Sequence, residues 1–398
     1  MKSLKKAMAL MVACASIFGT VANAAFLNPI DSSPTMKQLA DSSASFKGAG
    51  EYFAGYYAGP ASETNNLVKI TYDEAADAMK WDVYGYEYAW IFQNGNTYDH
   101  AYDERRSSFG KIKMTASFSF DVLARDAEGN YLTDGGQNLN AGYIYAASAY
   151  VKDGTTTYGN AAGLNLETKF PGQHFNWGGN GRLDLYGKTV KHGFSGCSYG
   201  DKLTLTFEAD CVADTASVVL YNETKDTVVS SLAVTEEDNI DILCVKDGLY
   251  SRIRSLWDMT WYEFSSVREQ FIAKDASVAT ADGKITGTIN VANNAEGNVI
   301  AIKNPSATVV MALYDAEDRM VDCGVSESTA LPVRQGNTGS DLNGNGKIED
   351  DYRIQSPPTY VPITAEVNAT DYAYAKFFVW DGTDTMKPFT EVAIVNAN

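Results

Sequence analysis

The sequence has few of the residues and motifs on which most enzymes depend. Histidine occurs three times in 398 residues, at His100, His174 and His192. No G-x-S-x-G sequence lies between a predicted strand and a predicted helix, and neither an H-E-x-x-H motif nor a phosphate-binding G-x-x-x-x-G-K-[ST] loop is present. These absences disfavour serine hydrolases of the nucleophile-elbow type, zinc proteases and P-loop enzymes.

Long apolar runs are also absent beyond the N-terminus, where the pattern predicts a secretory signal peptide. Three lysines among the first six residues precede an apolar run, and Ala22-Asn23-Ala24 has the small-x-small pattern of a cleavage site. We expect residues 1–24 to be removed and the protein to be secreted, either to the extracellular space or to the cell surface. An alternative takes Met11-Val12-Ala13-Cys14 as a lipoprotein box, although the residues that follow stay apolar through Val21 instead of forming a polar tether.

Basic residues are too few to balance the acidic ones. The chain has 32 Lys and Arg against 50 Asp and Glu, a net charge of -18, which becomes about -21 once the three leader lysines are lost. This excess argues against nucleic acid or anionic lipid as a partner. No run after the leader reaches the 18 apolar residues of a membrane helix, so we expect no membrane insertion after cleavage.

Cysteine is scarce as well. Four cysteines follow the leader, Cys197, Cys211, Cys244 and Cys323, and their spacing fits neither a C-x-x-C redox pair nor a zinc knuckle. An oxidising compartment would permit one or two disulfides, and the strand-like sequence between Cys197 and Cys211 favours that pair. Three complete pairings are open, and the alternative is a set of unpaired, buried thiols.

Alternation of apolar and polar residues predicts an all-β fold. Residues 112–122 and 203–211 alternate with period two, and glycine-rich turn signals separate such runs at short intervals. We expect two or three β-sandwich domains of the jelly-roll or immunoglobulin-like kind, with a few short helices. The expected domains are an aromatic-rich domain at 25–160, a second sandwich at 161–275 that could be one domain with the first, and an immunoglobulin-like domain at 276–398.

Three short helices are predicted, at residues 33–46, 73–80 and 258–273. The last is expected to connect the second sandwich to the C-terminal domain, because Trp261, Phe264, Val267 and Phe271 recur at helical spacing.

The stretch DLNGNGKIEDD, residues 341–351, has the alternating oxygen donors of a calcium loop, with Gly346 where such a loop turns sharply. The predicted calcium ligands are Asp341, Asn343, Asn345, Lys347 through its carbonyl, Glu349 and Asp351. Position twelve is Tyr352 instead of a carboxylate, so we expect weak binding, with a Kd of about 0.1 to 1 mM. The alternative is a polar hairpin tip whose Asn-Gly pairs serve only the turn.

Two segments around that loop carry a family resemblance. VVMALYDAEDRMVD, residues 309–322, and AKFFVWDGTDTMKPF, residues 375–389, resemble the immunoglobulin-like modules that end many secreted polysaccharide-acting and surface proteins of Gram-positive bacteria. The loop itself resembles the EF-hand-like calcium half-loop of dockerin modules. The resemblance implies an accessory domain at 276–398 that calcium rigidifies.

Aromatic residues are what the sequence has in excess. Its 24 Tyr and 6 Trp concentrate in EYFAGYYAG, WDVYGYEYAW and HFNWGG, and flat rings bordered by amides and carboxylates suit sugars. The candidate carbohydrate-binding residues are Tyr84, Tyr86, Tyr88, Trp90, His174 and Trp177. The alternative is that these aromatics are core or cross-strand ladder residues.

Together these features predict a secreted, noncatalytic protein that binds extracellular polysaccharide or a cell-surface glycan, or that forms part of a surface assembly. One alternative is a glycoside hydrolase with a carboxylate pair, for which Asp103 and Glu104 are candidates. The segment around them, YDHAYDERRSS, is dense in charges of both signs, which is typical of a solvated loop. The other is a structural or adhesion protein that binds surface proteins through its edge strands.

Overall fold

The computed structural model describes residues 26–42, 57–60, 68–83, 88–92, 107–123, 140–167, 181–191, 194, 196–254, 257–295, 305–334, 357–368, 371–382 and 385–397. The strands before residue 270 are β1 Pro29–Asp31, β2 Tyr57–Pro60, β3 Val68–Asp73, β4 Ala78–Val83, β5 Tyr88–Phe92, β6 Ser107–Ser108, β7 Lys111–Leu123, β8 Asn140–Lys152, β9 Thr155–Glu167, β10 Gly181–Leu185, β11 Lys188–Lys191, β12 Leu203–Asp210, β13 Thr215–Asn222, β14 Thr227–Val234, β15 Ile240–Lys246, β16 Tyr250–Arg254 and β17 Trp257–Glu269. The later strands are β18 Phe271–Ala281, β19 Lys284–Asn293, β20 Ser306–Tyr314, β21 Met320–Val325, β22 Thr329–Ala330, β23 Val361–Asn368, β24 Tyr374–Trp380 and β25 Ala393–Asn396. One α-helix, α1 Met36–Ser42, and a 3-10 turn at Glu236–Asp238 complete the described elements.

The strands before residue 270 form the two sheets of a large sandwich. In the described residues, the first sheet has eight strands in the order β14-β13-β12-β7-β17-β4-β3, with β1 beside β17. The second has nine, in the order β11-β10-β9-β8-β16-β5-β2, with β15 beside β8 and β6 beside β15. Inward side chains of both sheets, such as Phe118 and Phe207 from the first and Ile144 and Leu164 from the second, share one apolar core. The predicted all-β sandwich fold is confirmed.

The later strands form a second, smaller sandwich with its own core. One sheet has the order β18-β19-β23, and the other has the order β21-β20-β24-β25 with β22 beside β20. Inside it, the rings of Phe271 and Phe389 stack with their centroids 3.9 Å apart. Asn28, at the start of the first sandwich, donates to the carbonyl oxygen of Pro388 at 2.8 Å, so the two sandwiches are in direct contact.

The expected domain boundaries fall inside strands. Residue 160 lies within β9, and the first core draws side chains from Met36 through Phe264. This arrangement fits the alternative in which residues before about 270 form one sandwich. Residue 276 lies within β18, and the second core already begins at Phe271.

The predicted connector helix at 258–273 is wrong, because β17 occupies most of that range. Met259 and Trp261 point into the core with strand spacing, but the register shifts between Trp261 and Glu263. This β-bulge makes Phe264 the next inward residue, three positions after Trp261. The bulge accounts for the three-residue spacing of Trp261 and Phe264, whereas Val267 lies on the other face of β17 and Phe271 begins β18.

Of the other two predicted helices, one is confirmed and one is wrong. Residues 36–42 of the predicted range 33–46 form α1, which confirms that helix. The helix predicted at 73–80 is wrong, because β3 and β4 form a hairpin there. The carboxylate of Asp73 accepts hydrogen bonds from the backbone N–H groups of Ala75 and Ala76. A helix N-cap accepts the same bonds, but here they stabilise the turn of the hairpin.

The four cysteines of the described residues form no disulfide: Cys197 and Cys244 are buried, Cys211 is half-buried and Cys323 is exposed. The prediction of a Cys197–Cys211 disulfide is therefore wrong. The sulfur of Cys197 lies 3.6 Å from Nδ2 of Asn222, while that of Cys211 donates to the carbonyl oxygen of Ser108 at 3.6 Å. Each sulfur packs against a different neighbour.

Candidate functional site

Most of the residues predicted to bind ligands lie outside the described residues. These are the six calcium ligands, Asp341, Asn343, Asn345, Lys347, Glu349 and Asp351, and the aromatic candidates Tyr84, Tyr86, His174 and Trp177. Tyr88 and Trp90 lie in β5, of which the backbone pairing is described. Their roles stay predictions.

The backbone register nevertheless locates Trp90 in a row of residues that crosses the second sheet. Trp90 pairs with Arg252, Arg252 with Tyr143, Tyr143 with Asn165, and Asn165 with Arg182. Residues that stand directly opposite in a ladder share a face of the sheet. Tyr143, Asn165 and Arg182 therefore lie on one face.

A second row lies beside the first on the same face. It contains Tyr250, Tyr145, Gly163, Asp184 and Thr189, paired in that order across five strands. The residues that alternate with both rows, such as Ile144, Leu164 and Leu183, belong to the core. Tyr143, Asn165 and Arg182 of the first row, and the residues of the second row, therefore face away from the core. We call the set Tyr143, Tyr145, Asn165, Arg182, Asp184 and Tyr250 the tyrosine face.

The three tyrosines of this face are in ring contact. The centroid of Tyr143 lies 5.4 Å from that of Tyr145 and 5.5 Å from that of Tyr250, the latter pair at an interplanar angle of 78°. Tyr143 and Tyr250 are half-buried, whereas Tyr145 is 6% exposed. The face thus presents two partly accessible rings beside a buried one.

Gly163 makes room for the buried ring. It has φ +145°, and a Cβ atom there would meet the carbonyl oxygen of Ile144 and would lie 2.7 Å from Cδ1 of Tyr145. A side chain at this position would therefore displace the Tyr145 ring, and the backbone angle itself favours glycine.

Asp184 is the centre of the polar part of the face. Its carboxylate accepts hydrogen bonds from the Tyr145 hydroxyl at 2.5 Å, from Nε of Arg182 at 3.1 Å and from Oγ1 of Thr189 at 2.8 Å. Burial and the hydrogen bond to Asp184 raise the pKa of Tyr145 above its ordinary value. The phenol is therefore a donor at neutral pH, and the charges of Arg182 and Asp184 offset each other.

Asn165 is the remaining polar group of the face and is 6% exposed. Its side chain is hydrogen-bonded to Tyr145 and lowers the pKa of that phenol. Because Oδ1 has no hydrogen-bond partner, the amide N–H is the donor in this bond. Its carbonyl oxygen Oδ1 is buried and has no hydrogen-bond partner. A buried acceptor without a donor is costly, and this oxygen has almost no surface that a ligand could reach.

A separate groove of about 510 Å³ lies along one end of the first sheet. Its charged lining residues are Lys111, Lys113, Glu208 and Asp210. Lys113 pairs with Glu208 at 3.0 Å and Lys111 with Glu391 at 2.6 Å. Because its lysines are already paired with carboxylates, the groove offers no unpaired cation for an anionic ligand.

The segment Gly196-Cys197-Ser198-Tyr199-Gly200 matches the letters of G-x-S-x-G without its chemistry. A strand, β12, follows it instead of a helix. Nζ of Lys225 donates to Oγ of Ser198 at 2.8 Å and forms an ion pair with Asp201 at 2.9 Å. An ion-paired ammonium cannot accept the serine proton, so Lys225 does not activate Ser198.

The sequence analysis missed Tyr143, Tyr145 and Tyr250. The signal for the first two is the alternation in GYIYA, residues 142–146, which is of the same kind as the alternation of Tyr84, Tyr86 and Tyr88. Tyr250 stands more than 100 residues away from them in the chain and carries no local signal.

Within the part of the chain that the structure describes, no group of three or more His, Cys, Asp or Glu is arranged to hold a metal ion, and no helix has the length and apolar character needed to span a membrane. No family model matches the chain, and no curated protein matches it.

Several lectins are among the similar solved structures. Peanut lectin with a nine-residue peptide is 13% identical, with 54% of this chain and 97% of the lectin covered and a TM-score of 0.28. The seed lectin of Lotus tetragonolobus is 10% identical, with 56% and 95% covered and a TM-score of 0.31. The exoplasmic domain of VIP36, in a form bound to Ca2+ and mannose, is 9% identical, with 53% and 81% covered and a TM-score of 0.26. TM-scores of this size carry no argument about the site or the ligand of this chain.

Proposed function

We propose that the protein binds extracellular polysaccharide or a cell-surface glycan at the tyrosine face, without catalysis. The observation that carries the proposal is the contact of Tyr143 with both Tyr145 and Tyr250 on the outward face of a sheet, beside the Arg182, Asp184 and Asn165 side chains. Pyranose rings have apolar C–H faces ringed by hydroxyl groups. Half-buried aromatic rings next to the half-buried Asp184 carboxylate and Arg182 guanidinium complement both features.

Binding is favoured over glycoside hydrolysis at this face. Hydrolysis needs two carboxyl groups, roughly 5 to 9.5 Å apart. The tyrosine face contains one, Asp184, and its oxygens already accept three hydrogen bonds.

Secretion and calcium binding are further parts of the proposal, and they are supported by the sequence alone. The leader at residues 1–24 would direct export, and the loop at 341–351 would stiffen the C-terminal domain as an accessory module. Thermal unfolding with calcium and with chelator tests the second part. A midpoint that does not change with 5 mM calcium, about five times the weakest expected Kd, would contradict it.

The binding proposal is tested by affinity electrophoresis of the full chain through gels that contain single plant or microbial polysaccharides. We expect wild type to be retarded in at least one gel, with Tyr143→Ala and Tyr250→Ala weakened about ten-fold each, the loss expected when one ring contact worth ~1.4 kcal/mol is removed. Tyr221→Ala is the matched control, because Tyr221 is a half-buried tyrosine in β13 of the opposite sheet. Equal retardation of the wild type and the three variants would show that the binding site lies outside the tyrosine face. Retardation of none of them would contradict glycan binding.

A further inference from the structure

We propose that two copies of the chain pack against each other through the outward face of the sheet β21-β20-β24-β25. This surface belongs to the second sandwich, whereas the tyrosine face belongs to the first. The proposal therefore does not depend on glycan binding.

The backbone register shows which side chains share the outward face of this sheet. Core side chains such as Leu313, Phe377 and Val379 alternate with them along the strands. Val325, Val310 and Phe378 stand opposite one another in one row. Cys323, Ala312, Lys376 and Ile394 form the next row. We call the set Val310, Val325, Tyr374, Phe378, Trp380 and Ile394 the apolar face.

The apolar face is accessible at both ends of the strand order. Val325 in β21 is 52% exposed and Ile394 in β25 is 60% exposed, while Tyr374, Phe378 and Trp380 between them are half-buried. Six of the nine exposed large apolar side chains of the described residues lie in the second sandwich, although it is the smaller one. Single exposed apolar side chains are ordinary, but a contiguous set of them marks an interaction surface.

The other sheet of the same sandwich has a polar outward face. Ser277, Thr288 and Thr364 stand opposite one another across β18, β19 and β23. Lys284 and Glu366 form an exposed ion pair at 2.7 Å on the same sheet. An outward face of this sandwich is therefore not apolar by necessity, and the composition of the apolar face needs its own explanation.

Charge favours this face for contact between two copies. Lys376 is the only charged side chain among the outward residues of the four strands, and none of those residues is a carboxylate. Asp318 lies at one end, where it accepts a hydrogen bond from the Tyr374 hydroxyl at 2.6 Å. With a net charge of -18, copies repel each other wherever their carboxylates meet. The apolar face lets two copies meet without bringing carboxylates together.

The same face is poorly suited to a sugar. The rings of Tyr314 and Tyr374 stack on each other, with centroids 5.2 Å apart and an interplanar angle of 2°. Nζ of Lys376 lies 4.6 Å from the Tyr314 centroid, so these rings are engaged within the chain. No outward carboxylate is present to accept sugar hydroxyls, whereas apolar and aromatic residues without acidic ones are typical of interfaces between identical subunits. Each copy carries the apolar surface that such a face requires.

A two-fold axis would also keep the two lysines apart. Contacts between two identical subunits are related by such an axis. Lys376 and Trp380 lie two positions on either side of Phe378 in β24. If the axis passes by Phe378, Lys376 of each copy meets Trp380 of the partner subunit, where the ammonium group gains a cation–π contact.

The size of the face predicts a weak dimer. Four strands about 4.8 Å apart, and seven residues of β24 at about 3.4 Å each, give a flat area of roughly 450 Å² per copy. Two copies would bury roughly 900 Å², which is below the ~1,600 Å² of a standard interface. We therefore expect a reversible dimer with a Kd of about 10 to 100 µM.

The experiment is sedimentation equilibrium of the full chain at about 1 to 300 µM, a range that brackets the expected Kd. A reductant is present throughout, because it removes any disulfide between exposed Cys323 thiols. We expect dimers that become tighter between about 50 and 500 mM NaCl, since salt screens the repulsion between acidic copies and leaves apolar contacts in place. A dimer that weakens as salt rises would overturn the proposal.

Val325→Asp and Ile394→Asp test the location of the contact. Each would bury an unpaired carboxylate in the dimer, so we expect the Kd to rise about ten-fold or more. Val122→Asp is the matched control: Val122 is 48% exposed in β7 of the first sandwich, and the change in charge is the same. We expect it to leave the Kd within about two-fold of wild type. Thermal unfolding of each variant shows that it is folded.

The remaining outcomes decide against the proposal. A wild-type chain that stays monomeric at every concentration would overturn it. A dimer that Val325→Asp and Ile394→Asp leave intact would place the contact elsewhere and would also overturn it. Equal weakening by all three variants would assign the effect to net charge instead of the apolar face. If one face variant does not fold, the other variant and the salt dependence of the wild type still decide.

Discussion

Arg268 and Asp247 form an ion pair whose side chains are fully buried, with Nε of the arginine 3.3 Å from Oδ2 of the aspartate. Nη1 of Arg268 also donates to the carbonyl oxygen of Asn294 at 2.7 Å. Arg268 stands near the end of β17 in the first sandwich, and Asn294 directly follows β19 in the second. The buried pair therefore lies at the junction of the two sandwiches and links them.

Arg268→Met should destabilise the chain by about 3 to 5 kcal/mol, because it removes the cation that lies 3.3 Å from the buried Asp247 carboxylate. Urea unfolding followed by tryptophan fluorescence measures the loss. Lys284→Met is the control: its pair with Glu366 is exposed on both sides, so we expect a loss of less than about 1 kcal/mol. A loss for Arg268→Met as small as that of the control would contradict the structural role of the buried pair.

Glu269 should make stability fall as the pH rises from about 5 to 7. Burial raises the pKa of this carboxyl from 4.5 to about 7 in the folded chain. The folded state then holds the proton more tightly than the unfolded state, so the free energy of unfolding decreases through this window, by up to ~3 kcal/mol, and is constant above it.

Glu269→Gln provides the comparison for that pH effect, since its amide oxygen can still accept the backbone N–H of Lys111 that bonds Oε1 at 2.8 Å in wild type. We expect the free energy of unfolding of this variant to vary less between pH 5 and 7.5 than that of wild type. Parallel curves for the two proteins would show that Glu269 does not titrate in this range.

Gly163→Ala should unfold more easily and should bind glycan less well. The positive φ costs about 1 to 3 kcal/mol for a non-glycine residue, and the added methyl group would push the Tyr145 ring. Gly382→Ala separates the two causes, because Gly382 has the same φ of +145° but nothing lies within 4 Å of the added atom. We expect the Gly163 variant to show a lower melting temperature than the Gly382 variant, and equal losses would contradict the close approach of the Ile144 carbonyl oxygen and the Tyr145 ring to the added atom.

Maleimide labelling should distinguish one cysteine from the three others of the described residues. Cys323 is exposed, whereas Cys197 and Cys244 are buried and Cys211 is half-buried. Mass spectrometry should find one label per native chain, at Cys323, and further labels at the other three after denaturation without reductant. A pair of cysteines that stays unlabelled after denaturation would reveal a disulfide and contradict the free thiols.

The strands of the first sandwich could be predicted where their alternation is regular. Ile112 to Phe120 follow the predicted inward pattern, although Val122 at the end of the same run is 48% exposed. The prediction failed in β17, because a bulge after Trp261 changed the spacing that the period argument depends on. Irregularities of this kind arise from pairing with β7 and cannot be inferred from one strand alone.

The sequence predicted an aromatic surface on strands, but not which residues form the tyrosine face. An aromatic excess on strands indicated a glycan surface, but the face depends on the register that places Tyr143 opposite Asn165, and Tyr250 opposite Tyr145. Such registers are set by contacts between segments far apart in the chain. The aromatic character of the face could therefore be predicted from the sequence, and the identity of the residues in the described face could not.

The most direct test of the central claim is hydroxyl-radical footprinting of the full chain with and without an oligosaccharide of the polysaccharide that retards it most. The account predicts that bound ligand suppresses oxidation at Tyr143 and Tyr250 and leaves Tyr221 and Tyr374 unchanged. Unchanged oxidation at Tyr143 and Tyr250 under saturating ligand would contradict glycan binding at the tyrosine face.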